Sequence, residues 1–167
     1  MAIKRYTANA DNSITNAFKE DLVTRGTGSN MGASDTLEVF GIYAQESTAS
    51  AELSRVLIKF PTTAISSDRT ADTIPDSGSV NFFLNMYNCP HSSTTPRDFK
   101  FTIAKITADW EEGYGLDMEE YIDLTYDGIG STWNERKGDD VSEITKVTFT
   151  SDSKANYAAA NGANYIK

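Results

Sequence analysis

Histidine and cysteine are almost absent from this 167-residue chain: His91 and Cys89 are the only examples. A single cysteine forms no internal disulfide, so no oxidising compartment is required. The pair is also too small for a closed zinc site, which takes four ligands. A Cys–His nucleophile needs converging side chains and a third orienting group, and two residues so close on the turn-rich loop NCPHSSTTP seldom supply that geometry. Cations are in deficit as well, with 15 Lys and Arg against 24 Asp and Glu, a net charge of −9. Such a chain repels phosphate backbones and has no basic stripe to focus binding, so nucleic acid is not an expected partner. Long apolar runs are missing too. The start, MAIKRYTANA, lacks the apolar core of a signal peptide, and no segment approaches the roughly 18 apolar residues of a membrane helix. There is no N-x-[ST] sequon. These absences predict synthesis in the cytoplasm, solubility from acidity, and no membrane partner.

What is present is mostly period 2. In SVNFFLNMY, Val80, Phe82, Leu84 and Met86 alternate with Asn81 and Asn85, which predicts a half-buried strand. In ELSRVLIKFP, Val56, Ile58 and Phe60 alternate with Arg55, Leu57 and Lys59, and Pro61 ends the run. Leu37, Val39 and Tyr43 share a face of TLEVFGIY. FKFTIAKITADW starts with Phe99, Phe101 and Ile103 inward and changes phase at Lys105, where a β-bulge would let Ile106 take over. Ile122, Leu124 and Tyr126 alternate, as do Val147 and Phe149, and IKRYTA is a further candidate strand.

Helical signals are poor. TTAISSDRTADTIPDSG is polar and reads as loop because of Pro75 and Gly78; Met118 to Tyr121 allow one helical turn. The length suits one domain. Roughly seven to nine short strands joined by Ser, Thr, Gly and Asn loops predict an all-β antiparallel sandwich over residues 1–150. Residues 151–167, rich in small side chains, read as a C-terminal tail or an edge strand exchanged with a partner.

The loop RGTGSNMG has glycines at 26, 28 and 32. A dinucleotide fingerprint puts its third glycine where Met31 stands, followed by a helix, whereas here a strand is expected; the loop reads as a surface connection. The stretch from Ile106 to Asn134 holds both tryptophans and, between Asp109 and Asp123, seven carboxylates: Asp109, Glu111, Glu112, Asp117, Glu119, Glu120 and Asp123. Glycoside hydrolysis needs two carboxylates held across a cleft, which counting acids does not establish. Calcium takes several loop oxygens, but DGIG lacks the spaced acidic pattern of an EF-hand, so a structural calcium is only weakly signalled. The plainest reading is a solvated acidic loop. Trp110, Tyr114 and Trp133 are candidates for stacking on sugar rings; packing over the core is the commoner use of such faces.

Several stretches together resemble DNRLRE-type domains. SNMGASDTLEV resembles their first loop and strand, SRVLIKFP their second hallmark strand, IPDSGSVNFFLNMY a later strand, and ADWEEGYGLD with STWN the tryptophan-glycine loop and closing turn. The matches keep their order from about Ser29 to Asn134. The resemblance implies a jelly-roll-like β-sandwich, similar to alginate-type carbohydrate-binding modules and to virion proteins of marine tailed phages. Met31 departs from the aromatic usual at its position, and the closing strand pattern is missing after Val141. That leaves the last strand to a continuation of the chain or to a neighbouring subunit.

Two functions follow as expectations. The first is a non-enzymatic virion structural protein, a capsid decoration or tail-associated component, with other virion proteins and its own copies as partners and with Ala2–Ala8 and Asn156–Lys167 pairing across subunits. The second is a module for acidic polysaccharide, stacking sugars on Trp110, Tyr114 and Trp133 and meeting carboxylates with Arg55 or Lys59. Neither requires a cofactor.

Overall fold

A computed structural model of the chain describes residues 3–75, 79–90, 102–106, 108–116 and 130–137. These residues form a mostly β structure. Strands β1 (Ala10–Thr15), β2 (Gly41–Tyr43) and β3 (Ala51–Lys59) make one antiparallel sheet in the order β1-β3-β2. The β1–β3 ladder runs from Ala10 opposite Lys59 to Thr15 opposite Ser54. Ile42 of β2 lies opposite Glu52. Among the described residues no helix is long and apolar enough to cross a membrane.

β3 stops at Lys59, ahead of Pro61, as a residue without an N–H requires. Its inward face differs from the expected one. Val56, Ile58 and Phe60 are only half-buried, whereas Leu57 is 3% exposed and joins Ile14, Trp110 and Trp133 in the core. Ala10, Leu53 and Ile106 pack against that cluster. Loops cover the face carrying Leu57, so alternation alone picked the wrong side.

The N-terminal strand is Ala10–Thr15, not IKRYTA. Its sequence, ADNSIT, has one large apolar residue, Ile14, and its other buried side chains are polar. Upstream, Lys4 and Tyr6 dock on Asp68, at 3.0 Å from ammonium to carboxylate and 2.6 Å from hydroxyl to carboxylate. The strand expected in TLEVFGIY shrinks to Gly41–Tyr43, with Ile42 turned inward and Val39 and Tyr43 exposed. Serine hydroxyls take two backbone N–H groups just before β2. The Glu38 N–H donates to Ser13 Oγ (2.9 Å) and the Phe40 N–H to Ser54 Oγ (2.7 Å).

The segment after Pro61 is a helix, α1 (Thr62–Thr70), where a loop was expected. It buries none of its residues and is held from outside by Lys4 and Tyr6. Asp72, with φ of 54°, turns the chain out of it. SVNFFLNMY forms no strand, although Val80, Leu84 and Met86 are half-buried and their neighbours exposed; Phe82 is exposed. Ile106 does reach the core, but residues 102–106 join no ladder, so the bulge at Lys105 has no sheet to interrupt. The expectations for Met118–Tyr121, Ile122–Tyr126, Val147, Phe149, His91 and residues 151–167 lie outside the described residues.

Candidate functional site

The described parts of the acidic, tryptophan-bearing stretch fold against β1. Segments 108–116 and 130–137 meet the loop at residues 26–33, and buried asparagines tie them together. Asn30 is fully buried. Its amide donates to the carbonyls of Glu112 (2.8 Å) and Ser131 (2.7 Å). Its Oδ1 accepts the N–H groups of Gly32 (3.1 Å) and Gly115 (2.9 Å). Both donors and both lone pairs of the side chain are used. Asn12, on β1, donates to the Ser131 carbonyl and hydroxyl, each at 2.8 Å, and accepts the Met31 N–H at 2.8 Å. Backbone bonds complete the tie, from Ser131 N to Glu111 O (2.9 Å) and from Trp133 N to Thr27 O (3.1 Å).

Glycine permits these crossings. A Cβ on Gly32 would lie 2.1 Å from the Glu112 carbonyl oxygen, and one on Gly115 would lie 2.4 Å from that of Asn30. The glycine-rich loop is therefore a packing surface. Its amides at Ser29, Met31 and Gly32 are bonded within the protein, which leaves no row of N–H groups for a phosphate.

Three of the seven acids are in view. Asp109 is exposed and pairs with Lys59 at 2.7 Å and Lys137 at 3.6 Å. The bond from Lys59 holds its carboxyl below the usual range. Glu112 Oε1 accepts the Asp11 N–H at 2.8 Å. Burial, and then the Glu112 charge, push the Asp11 carboxyl upward. Glu111 is exposed, and its N–H donates to the Arg136 carbonyl at 3.0 Å. Asp117, Glu119, Glu120 and Asp123 lie outside the described residues. Among the described residues no three His, Cys, Asp or Glu side chains converge as cation ligands.

The candidate stacking residues part company. Trp110 is 6% and Trp133 9% exposed, both in the core, while Tyr114 is 70% exposed. The three present no common face to a sugar. Arg55 and Lys59, the cations expected to meet uronic acids, are engaged internally. The Arg55 guanidinium lies over the Trp133 ring, 3.9 Å from its centroid, and Lys59 holds Asp109. What the arrangement does chemically is fasten loops together.

Asn12, Asn30 and Ser131 had no part in the expected site. Their signal in the sequence is slight: an asparagine inside a strand, and asparagine flanked by glycines in a loop that a distant segment must approach. No family model matches the chain, and no curated protein or solved structure matches it.

Proposed function

We propose that the chain is a non-enzymatic structural protein of a tailed-phage particle, a capsid decoration or tail-associated component built as a jelly-roll-like sandwich. It works through contacts with other virion proteins and with its own copies. The observation that supports this reading best is the inward use of the polar and aromatic side chains at the tryptophan-bearing end. Asn12, Asn30, Ser131, Trp110 and Trp133 are buried and spent on holding loops in place. That investment suits a part that must keep its shape. The resemblance of the ordered motifs to phage virion proteins supplies the setting.

The test is the oligomeric state of the full chain and of a version ending at residue 150, measured by light scattering. Stable trimers or larger assemblies that fall to monomers on truncation would support a part locked by its terminal segment. Monomers in both forms, together with saturable binding to alginate, would move the reading to carbohydrate recognition.

A further inference from the structure

An open cavity of about 410 Å³ lies between residues 18–22 and residues 42–52. Its lining joins the apolar side chains of Phe18, Leu22 and Ile42 to the polar ones of Lys19, Glu20, Gln45 and Glu52. Glu52 is only 1% exposed. One of its oxygens, Oε2, accepts the Phe18 N–H at 2.8 Å. The other, Oε1, is buried and has no hydrogen-bond partner among the described residues. Of the two nearby cations, Lys19 lines the cavity itself and Arg25 serves elsewhere. It stacks on the Phe18 ring, 3.7 Å from the centroid, and gives Nη1 to the carbonyls of Asn16 and Ala51.

A buried carboxylate oxygen without a partner is costly, and such groups are ordinarily paired or hydrogen-bonded. The missing group must donate an N–H or O–H to Oε1, and a positive charge fits best against a carboxylate. Its body must be apolar to match Phe18, Leu22 and Ile42. A guanidinium or ammonium on an aliphatic stem has both properties. Ile42 sits on β2, the outer strand of the sheet among the described residues. A polypeptide laid along that edge sets alternate side chains over the mouth of the cavity.

We propose that this cavity takes an arginine or lysine side chain from a neighbouring polypeptide, with Glu52 as its counter-ion. Only the source of the side chain rests on the reading of the protein as an assembly component; the chemistry of the pocket does not.

The test is an NMR titration of the full chain with N-acetyl-arginine methylamide, with its citrulline counterpart (same shape, no charge) and with uncapped arginine. The capped arginine is expected to shift the amide signals of Phe18 and Glu52 saturably in the millimolar range. Citrulline should bind about tenfold more weakly or worse. Glu52→Gln, which keeps an acceptor for the Phe18 N–H, should abolish the shift. Ile42→Trp, which fills the mouth from a half-buried strand position, should do the same and carries the test if Glu52→Gln does not fold. No saturable shift, equal binding of citrulline, or undiminished binding by either folded variant would overturn the proposal. Tighter binding of uncapped than capped arginine would overturn the assignment to a polypeptide. Light scattering reads assembly separately: a monomer that still binds capped arginine sinks the assembly reading and leaves the pocket chemistry standing.

Discussion

Arg55 and Trp133 form a stacked pair, the guanidinium 3.9 Å from the ring centroid. Arg55 projects from β3, and burial lowers its pKa. The pair joins the central strand to a turn far along the chain. Arg55→Leu should lower stability by about 1–2 kcal/mol, and Arg55→Lys, which keeps the charge but not the plane, by about 1 kcal/mol. Denaturant unfolding followed by tryptophan fluorescence would measure both; equal stability of Arg55→Lys and the parent would mean that the stack contributes nothing.

Asn30 should be among the most sensitive positions. Asn30→Ala takes the named partner from the Glu112 carbonyl and from the N–H groups of Gly32 and Gly115, while the Ser131 carbonyl keeps Asn12; a loss of roughly 3 kcal/mol is expected. Asn30→Asp turns two donors into acceptors aimed at the carbonyls of Glu112 and Ser131. It should cost as much at neutral pH and recover in part on acidification. Urea midpoints at two pH values would show this, and a loss below about 1 kcal/mol for Asn30→Ala would contradict the tie.

Gly115→Ala forces a Cβ to within 2.4 Å of the Asn30 carbonyl oxygen, a backbone atom that cannot rotate away. A loss of about 1–3 kcal/mol is expected from the overpacking. A thermal melt is sufficient to test it, because a change of that size moves the midpoint by several degrees.

Acid should weaken the fold. Asp109 is held low by Lys59, Asp68 by Tyr6 and then Lys4, and Asp21 by the N–H groups of Thr24 and Val23 and the Thr24 hydroxyl. A depressed folded pKa gives stability that is present above the ordinary value of 3.8 and is lost as pH falls through the folded value. Asp11, raised by burial, works in the opposite sense and gains stability for the folded form as it protonates. Three against one, stability should decline below about pH 4. Circular dichroism against pH would follow it, and Lys59→Met should remove the share due to Asp109.

Alkali should act through Tyr6. Its hydroxyl donates to Asp68 at 2.6 Å, and that bond pushes the phenol from 10.0 up to about 12. The folded form holds this proton more tightly, so the contribution is complete below pH 10 and lost as pH rises to about 12. Tyr6→Phe should erase that dependence. An ultraviolet titration that found Tyr6 ionising near 10 would rule out the bond in solution.

The sequence showed the mostly β character and the end of β3, because alternation and proline report on backbone geometry directly. It misplaced the first strand, since ADNSIT buries Asn12, Ser13 and Thr15, and polar residues in a core carry no hydrophobic signal. Helix α1 was missed for a related reason: it has no apolar stripe and is held by Lys4 and Tyr6, which precede it by some sixty residues in the chain. The tryptophans were conspicuous as residue types, but only their neighbours decide that they face inward. The buried ties of Asn12 and Asn30 depend on pairings about a hundred residues apart, which no local pattern encodes.

Those same ties set a timetable. Asn12 and its partner Ser131 are separated by 119 positions. At ribosomal rates of about 5–20 residues per second, Asn12 waits about 6–24 s for Ser131 to be made. Throughout that interval the Asn12 amide lacks the partner that it has in the folded chain, whereas Ser13 and Thr15 find theirs in Glu38 and Leu53 much sooner. Of the described segments the last to be made, residues 130–137, thus closes the structure that the first strand began.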